Sequence, residues 1–100
     1  MEKEDRPVER TANVIGGKWT LLILCDLLEG KKRFGELRAS LAGISPRTLT
    51  EKLRFLEREG IVERKIYPEV PPRVEYSLTR RGREMEPIFE AMRVWGSQWA

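Results

Sequence analysis

Residues 68–82, PEVPPRVEYSLTRRG, limit what this chain can fold into more than any other stretch. Pro68, Pro71 and Pro72 fall within five positions, and each fixes its own φ and lacks an N–H. Such a segment belongs neither inside a helix nor inside a central strand. Strict alternation follows, with Val74, Tyr76 and Leu78 on one side and Arg73, Glu75 and Ser77 on the other. Residues Ile61–Tyr67 also alternate. The pattern predicts two antiparallel strands, about 61–67 and 73–78, joined by a proline-stiffened tip.

Helical signals surround this hairpin. Pro7 suits a first helical position, and Val8 to Ile15 can follow it until Gly16-Gly17 stops the helix. Lys18 to Leu28 is apolar almost all the way round, which predicts a central, buried helix. Gly30 ends it, and Lys31 to Arg33 reads as a basic connector or one short strand. Phe34, Leu37 and Leu41 mark a third helix, closed by Ala42-Gly43. Ser45 then caps a fourth, with Pro46 as its first residue and Gly60 as its stop. Thr79 is placed to cap a last helix running on to the end of the chain.

Four helices, a hairpin and a helix, with a tight Gly-containing turn between the third and fourth, make a winged helix-turn-helix. The expected class is therefore mainly α with a small β-hairpin (α+β). Residues 1–6 read as a flexible lead and 7–100 as a single domain. Within it, 34–59 form the helix-turn-helix and 61–78 the wing. Residues 7–15 and 79–100 supply dimerisation helices.

The fourth helix carries the functional pattern. Leu49, Leu53 and Leu56 face inward, while Arg47, Glu51, Arg54 and Arg58 face outward. A recognition helix reads bases from its N-terminal part, here Ser45, Pro46, Arg47, Thr48 and Glu51. Arg binds guanine in a bidentate fashion, Thr touches a base edge or a thymine methyl, and Glu accepts from cytosine N4. Lys52, Arg54 and Arg58 suit phosphates, which position without reading sequence. Lys65 and Arg73 flank the stiff tip and are placed to reach the adjacent backbone or minor groove. The competing reading is an amphipathic helix with a solvated charged face beside a hairpin that only covers the core.

Charge distribution favours the first reading. The chain has a net charge of +3, and residues 45–81 carry the positive surplus that 82–100 lack. Double-stranded DNA is the expected partner.

On the last helix Met85, Ile88, Met92, Trp95 and Trp99 form a stripe at alternating spacings of three and four, with Phe89 beside it. So heavy an apolar load predicts an interface with a second copy, which would set two recognition helices about one DNA turn apart, roughly 34–36 Å. Packing against this chain's own second helix is the alternative. Trp19, Phe89, Met92 and Trp95 could instead line a pocket for a small-molecule effector.

Other chemistry is excluded or unsupported. One cysteine and no histidine leave no internal disulfide, no Ser-His or Cys-His pair, and too few ligands for zinc. No enzyme activity, metal or cofactor is expected. Cys25, set in the most apolar helix, reads as a buried small hydrophobe in preference to a redox sensor. The charged start MEKEDRPVER and the lack of a long apolar run point to the cytoplasm and away from a membrane.

Three segments together, VIGGKWTLLIL, RFGELRASLAGISPRTLTEKLRFLEREGIVER and YPEVPPRVEYSLTRRG, resemble in order and spacing the HxlR-type branch of the MarR-like winged helix-turn-helix regulators. The resemblance runs from about Pro7 to Trp99. It implies a prokaryotic, homodimeric transcription factor on palindromic operators, with the recognition helix starting at Ser45, Pro46, Arg47 and Thr48 and the wing at Tyr67 to Arg73. It also implies a dimer built from the first and last helices. Several members sense oxidants or electrophiles through a cysteine just before the Pro-Val that opens the first helix. Here Arg6 stands at that place, so the sensing role does not carry over, and Cys25 does not inherit it. The alternative function is a winged-helix protein-interaction module without specific DNA binding.

Overall fold

A computed structural model of the chain describes residues 6–100. Its elements are α1 (Pro7–Ile15), α2 (Lys18–Leu28), β1 (Lys32–Arg33), α3 (Phe34–Ser40), α4 (Pro46–Arg58), β2 (Val62–Tyr67), β3 (Arg73–Leu78), α5 (Arg80–Arg83) and α6 (Glu86–Trp99). This is a winged helix-turn-helix, as the sequence predicts. Of the lead expected over 1–6, only Arg6 lies within the described residues. It is exposed, and its carbonyl accepts from the Arg10 N–H at 3.1 Å.

The core lies between α2, α3, α4 and one face of the sheet. Ile23, Leu24, Leu37, Leu49 and Leu56 are fully enclosed, and Leu53 is nearly so. The three leucines of α4 recur at i, i+4 and i+7, so one face of the helix is buried and the other turned out. Ser45 starts that helix as expected: its Oγ accepts from the Thr48 N–H at 3.0 Å.

The wing leaves α4 at a fixed angle. Gly60 has φ 73°, a left-handed conformation that suits glycine. Its N–H donates to the Glu57 carbonyl at 3.1 Å, and the Ile61 N–H donates to the Leu56 carbonyl at 2.9 Å. Thr79 locks the same turn from the far end of the hairpin, donating its hydroxyl to the Gly60 carbonyl at 2.6 Å. Arg81 donates to the Glu59 carbonyl at 2.8 Å, answering an orphan acceptor at the end of α4.

The sheet has the order β1-β3-β2, all antiparallel. β2 and β3 pair in register from Val62↔Leu78 to Tyr67↔Arg73, leaving residues 68–72 as the tip. β3 is the middle strand, so its burial does not alternate as the sequence pattern suggests. β1 supplies the cover on its second edge.

Three expectations need correction. The helix that Thr79 caps ends at Arg83, and a second one begins at Glu86. The break lets Met85 turn into the core. Met85 and Phe89 are buried within this chain, so neither offers its surface to a second copy. Cys25 is exposed, because α2 is apolar round its circumference but not covered round it.

The molecule measures 53 × 32 × 24 Å with a radius of gyration of 14.7 Å. A compact chain of this length has about 13 Å. The excess reflects helices that reach beyond the core. No residue of α1 is buried, and α6 buries only Phe89. Among the described residues no single helix is long and apolar enough to cross a membrane.

Candidate nucleic-acid interface

The outward face of α4 carries Arg47, Glu51, Arg54 and Arg58, all exposed. Arg47 and Glu51 are paired one turn apart, Nε to Oε2 3.4 Å. Arg54 and Arg58 have no carboxylate within ion-pair distance among the described residues. Ser45 and Thr48 are joined by a 2.9 Å hydrogen bond between their hydroxyls, so they first serve the helix start. Pro46 is exposed at that start. Lys52 lies on the flank toward α1 and α2, where it borders a 290 Å³ cavity with Asn13, Thr20 and Phe55.

The wing stands beside this face. Lys65 is exposed, its ammonium 5.1 Å from the Tyr67 ring centre. The Arg73 guanidinium also lies over that ring, 4.1 Å from its centre. It is 3.2 Å from Glu69 and 3.5 Å from Glu75 as well. Two carboxylates therefore answer its charge. Arg73 braces the tip, and Lys65 is the free cation of the two.

One cation escaped the sequence reading. Arg64 on β2 faces α4, with Nε 3.4 Å from Glu57 Oε1. A cavity of about 360 Å³ is lined by Arg54, Glu57, Arg58 and Arg64, three positive groups against one negative. Strand parity is the signal that could have found it. Arg64 shares a face with the buried Val62, and so must point toward the helix. Conversely, part of the basic surplus is structural: Arg81 holds the Glu59 carbonyl, and Arg83 donates to the Leu78 carbonyl at 2.8 Å.

The other candidates are divided by burial. Ile88, Met92, Trp95 and Trp99 remain exposed on α6, Trp95 at 62% and Trp99 at 68%. Of the four side chains considered for an effector pocket, Phe89 is buried, Trp19 half-buried, and Met92 and Trp95 exposed. Within one chain they do not form a single wall. The Cys25 thiol is pushed up by partial burial and by the neighbouring Asp26 carboxylate, the opposite of activation. The described residues hold no group of three or more metal-ligating side chains.

Comparison with known proteins agrees with this architecture. The family model for the HxlR-like helix-turn-helix matches residues 14–100. An uncharacterized HTH-type transcriptional regulator of Synechocystis, sll1512, is 48% identical over 93 residues, covering 93% of this chain and 69% of that protein. The redox regulator HypR in its reduced form superposes with a TM-score of 0.89 at 51% identity, covering 92% of this chain and 91% of HypR. A MarR-family transcriptional regulator from Porphyromonas gingivalis W83 superposes with a TM-score of 0.94 at 40% identity, over 100% of this chain and 98% of that one. These relatives are regulators and not enzymes. With its fold, its exposed helix face and these likenesses in agreement, the chain belongs to the HxlR-like helix-turn-helix family of transcriptional regulators.

Proposed function

We infer that the chain is a sequence-specific DNA-binding regulator, acting in the cytoplasm as a homodimer on a pseudo-palindromic operator. The outward face of α4 carries this reading: Arg47, Glu51, Arg54 and Arg58 are exposed on a helix whose opposite face is buried, so that face is held rigidly for a major groove. Arg47, Thr48 and Glu51 near the helix start meet base edges. Arg54, Arg58 and Lys52 meet phosphates, and the wing reaches the adjacent backbone or minor groove through Lys65.

The exposed apolar stripe of α6 supports the dimer. Ile88, Met92, Trp95 and Trp99 are 38%, 44%, 62% and 68% exposed in a single chain. Two tryptophans left half open or more are costly in water, and a two-fold interface covers the same patch on both copies. Val8, 81% exposed on α1, is a further apolar group in need of cover.

Selection from a random duplex library tests the reading. The expected product is an inverted repeat, with half-sites about one helical turn or a multiple of it apart. Enrichment of no motif, or of one asymmetric half-site, would count against a two-fold DNA-binding regulator.

A further inference from the structure

Between α4 and the wing lies a narrow cleft of about 130 Å³, bordered by Thr50, Arg54, Glu57, Arg64 and Tyr76. Its volume has room for one tetrahedral oxyanion and not for a nucleoside. Arg64 and Tyr76 are cross-strand partners, so their side chains rise from the same face of the sheet. Arg54 approaches from the helix. The cleft therefore joins both elements expected to touch DNA.

Its chemistry is selective. Glu57 holds Arg64 by Nε, at 3.4 Å, which leaves the two terminal nitrogens of the guanidinium directed elsewhere. A guanidinium held that way presents a ready fork to a phosphate. Burial raises the Tyr76 pKa, with Arg64 and Arg54 pulling it down and Glu57 pushing it up. The phenol thus keeps its proton at neutral pH and donates to an anion without adding charge. The adjoining Arg58 keeps the surroundings positive despite Glu57.

We propose that this cleft seats one DNA backbone phosphate in each half-site, gripped by Arg54 and Arg64 with Tyr76 as a neutral donor, and so sets the recognition helix and the wing in register on the duplex. The proposal rests on the DNA-binding reading above. Phosphate contacts carry register, not sequence, so its loss weakens all duplexes alike.

The test combines variants with a scan of the selected duplex, in which each phosphate in turn is replaced by an uncharged methylphosphonate. For the wild-type chain, one position per half-site should be more costly than its neighbours. With Arg64→Gln the cost at that position should shrink, and with Arg54→Gln and Arg64→Gln together it should fall silent, while the others keep their cost. In that double variant the slope of log K against log salt should become shallower by about one per half-site. Arg64→Lys, which keeps the charge but not the fork, should retain the slope and lose affinity. Tyr76→Phe should weaken binding about fivefold with the slope unchanged. Arg64 is half exposed, so its variants should keep the wild-type circular dichroism. An Arg64→Gln variant that binds the selected duplex with the wild-type slope and methylphosphonate profile overturns the clamp and leaves the DNA-binding reading standing. A wild-type chain that binds no duplex overturns both.

Discussion

Arg47 and Glu51 form an ion pair on the exposed face of α4, with Arg47 Nε 3.4 Å from Glu51 Oε2 and side chains 88% and 62% exposed. A solvated i, i+4 pair of this kind contributes only about 0.3–0.5 kcal/mol. A bidentate arginine–guanine contact discriminates by about 1–3 kcal/mol. The right base can therefore draw Arg47 away from Glu51, and a wrong one gives little reason to.

Glu51 also sets a negative charge beside Lys52 and Arg54, which are proposed to meet phosphates. Glu51→Ala should tighten binding to a scrambled duplex severalfold and reduce the preference for the operator. Arg47→Ala should cost operator binding about tenfold or more, and leave scrambled binding much less affected. Competition titrations on both duplexes read these ratios. Equal losses on every sequence would remove Arg47 from direct readout.

The two wing cations should behave differently. Lys65 is exposed and has no carboxylate within ion-pair distance among the described residues, so Lys65→Ala should weaken all duplexes about equally and make the salt slope shallower by about one per half-site. Arg73 is already paired with Glu69 and with Glu75, the latter shared with Lys31. Arg73→Ala should leave the slope nearly unchanged and speed hydrogen exchange in residues 66–74, since it removes the brace of the tip. A slope change from Arg73→Ala as large as that from Lys65→Ala would contradict the assignment.

Much of this arrangement is legible in the sequence because its signals are local. Ser45-Pro46 fixes the start of α4, Gly60 fixes its end, and the prolines fix the tip. What the sequence hides depends on tertiary neighbours. Met85 fits the α6 stripe by spacing and Phe89 lies beside it, but both are buried in this chain's own core. Cys25 sits among apolar residues, yet it lies on an exposed side of α2. Arg73 reads as a free cation until the fold brings Glu69, Glu75 and Tyr67 around it. Arg64 reads as one more strand charge until β2 is set against α4.

The turn that joins α4 to the wing depends on Gly82. A Cβ there would collide with the Ile61 carbonyl oxygen and come within 3.2 Å of Leu78 Cδ2. Backbone cannot give way as a flexible side chain does. Gly82→Ala should destabilise the fold by about 1–3 kcal/mol. For a domain of this size each kcal/mol lowers the thermal midpoint by about 4–8 °C. An unchanged midpoint by circular dichroism would mean that this contact relaxes freely.

Trp95 is 62% exposed, so its removal should cost one chain little and the dimer much. Trp95→Glu should convert a two-chain species to a single chain in sedimentation velocity and reduce operator binding more than tenfold, with helical content retained. A wild-type protein that sediments as one chain at micromolar concentration would contradict the interface on α6.

The most direct measurement is fluorescence anisotropy of this protein on duplex from upstream of its own gene, against a scrambled duplex of equal length, across a series of salt concentrations. The expected result is tighter binding to the upstream duplex at every salt, with affinity for both falling steeply as salt rises. Equal binding to both duplexes throughout the series, or none to either at low salt, would contradict specific recognition of that DNA by the exposed face of α4.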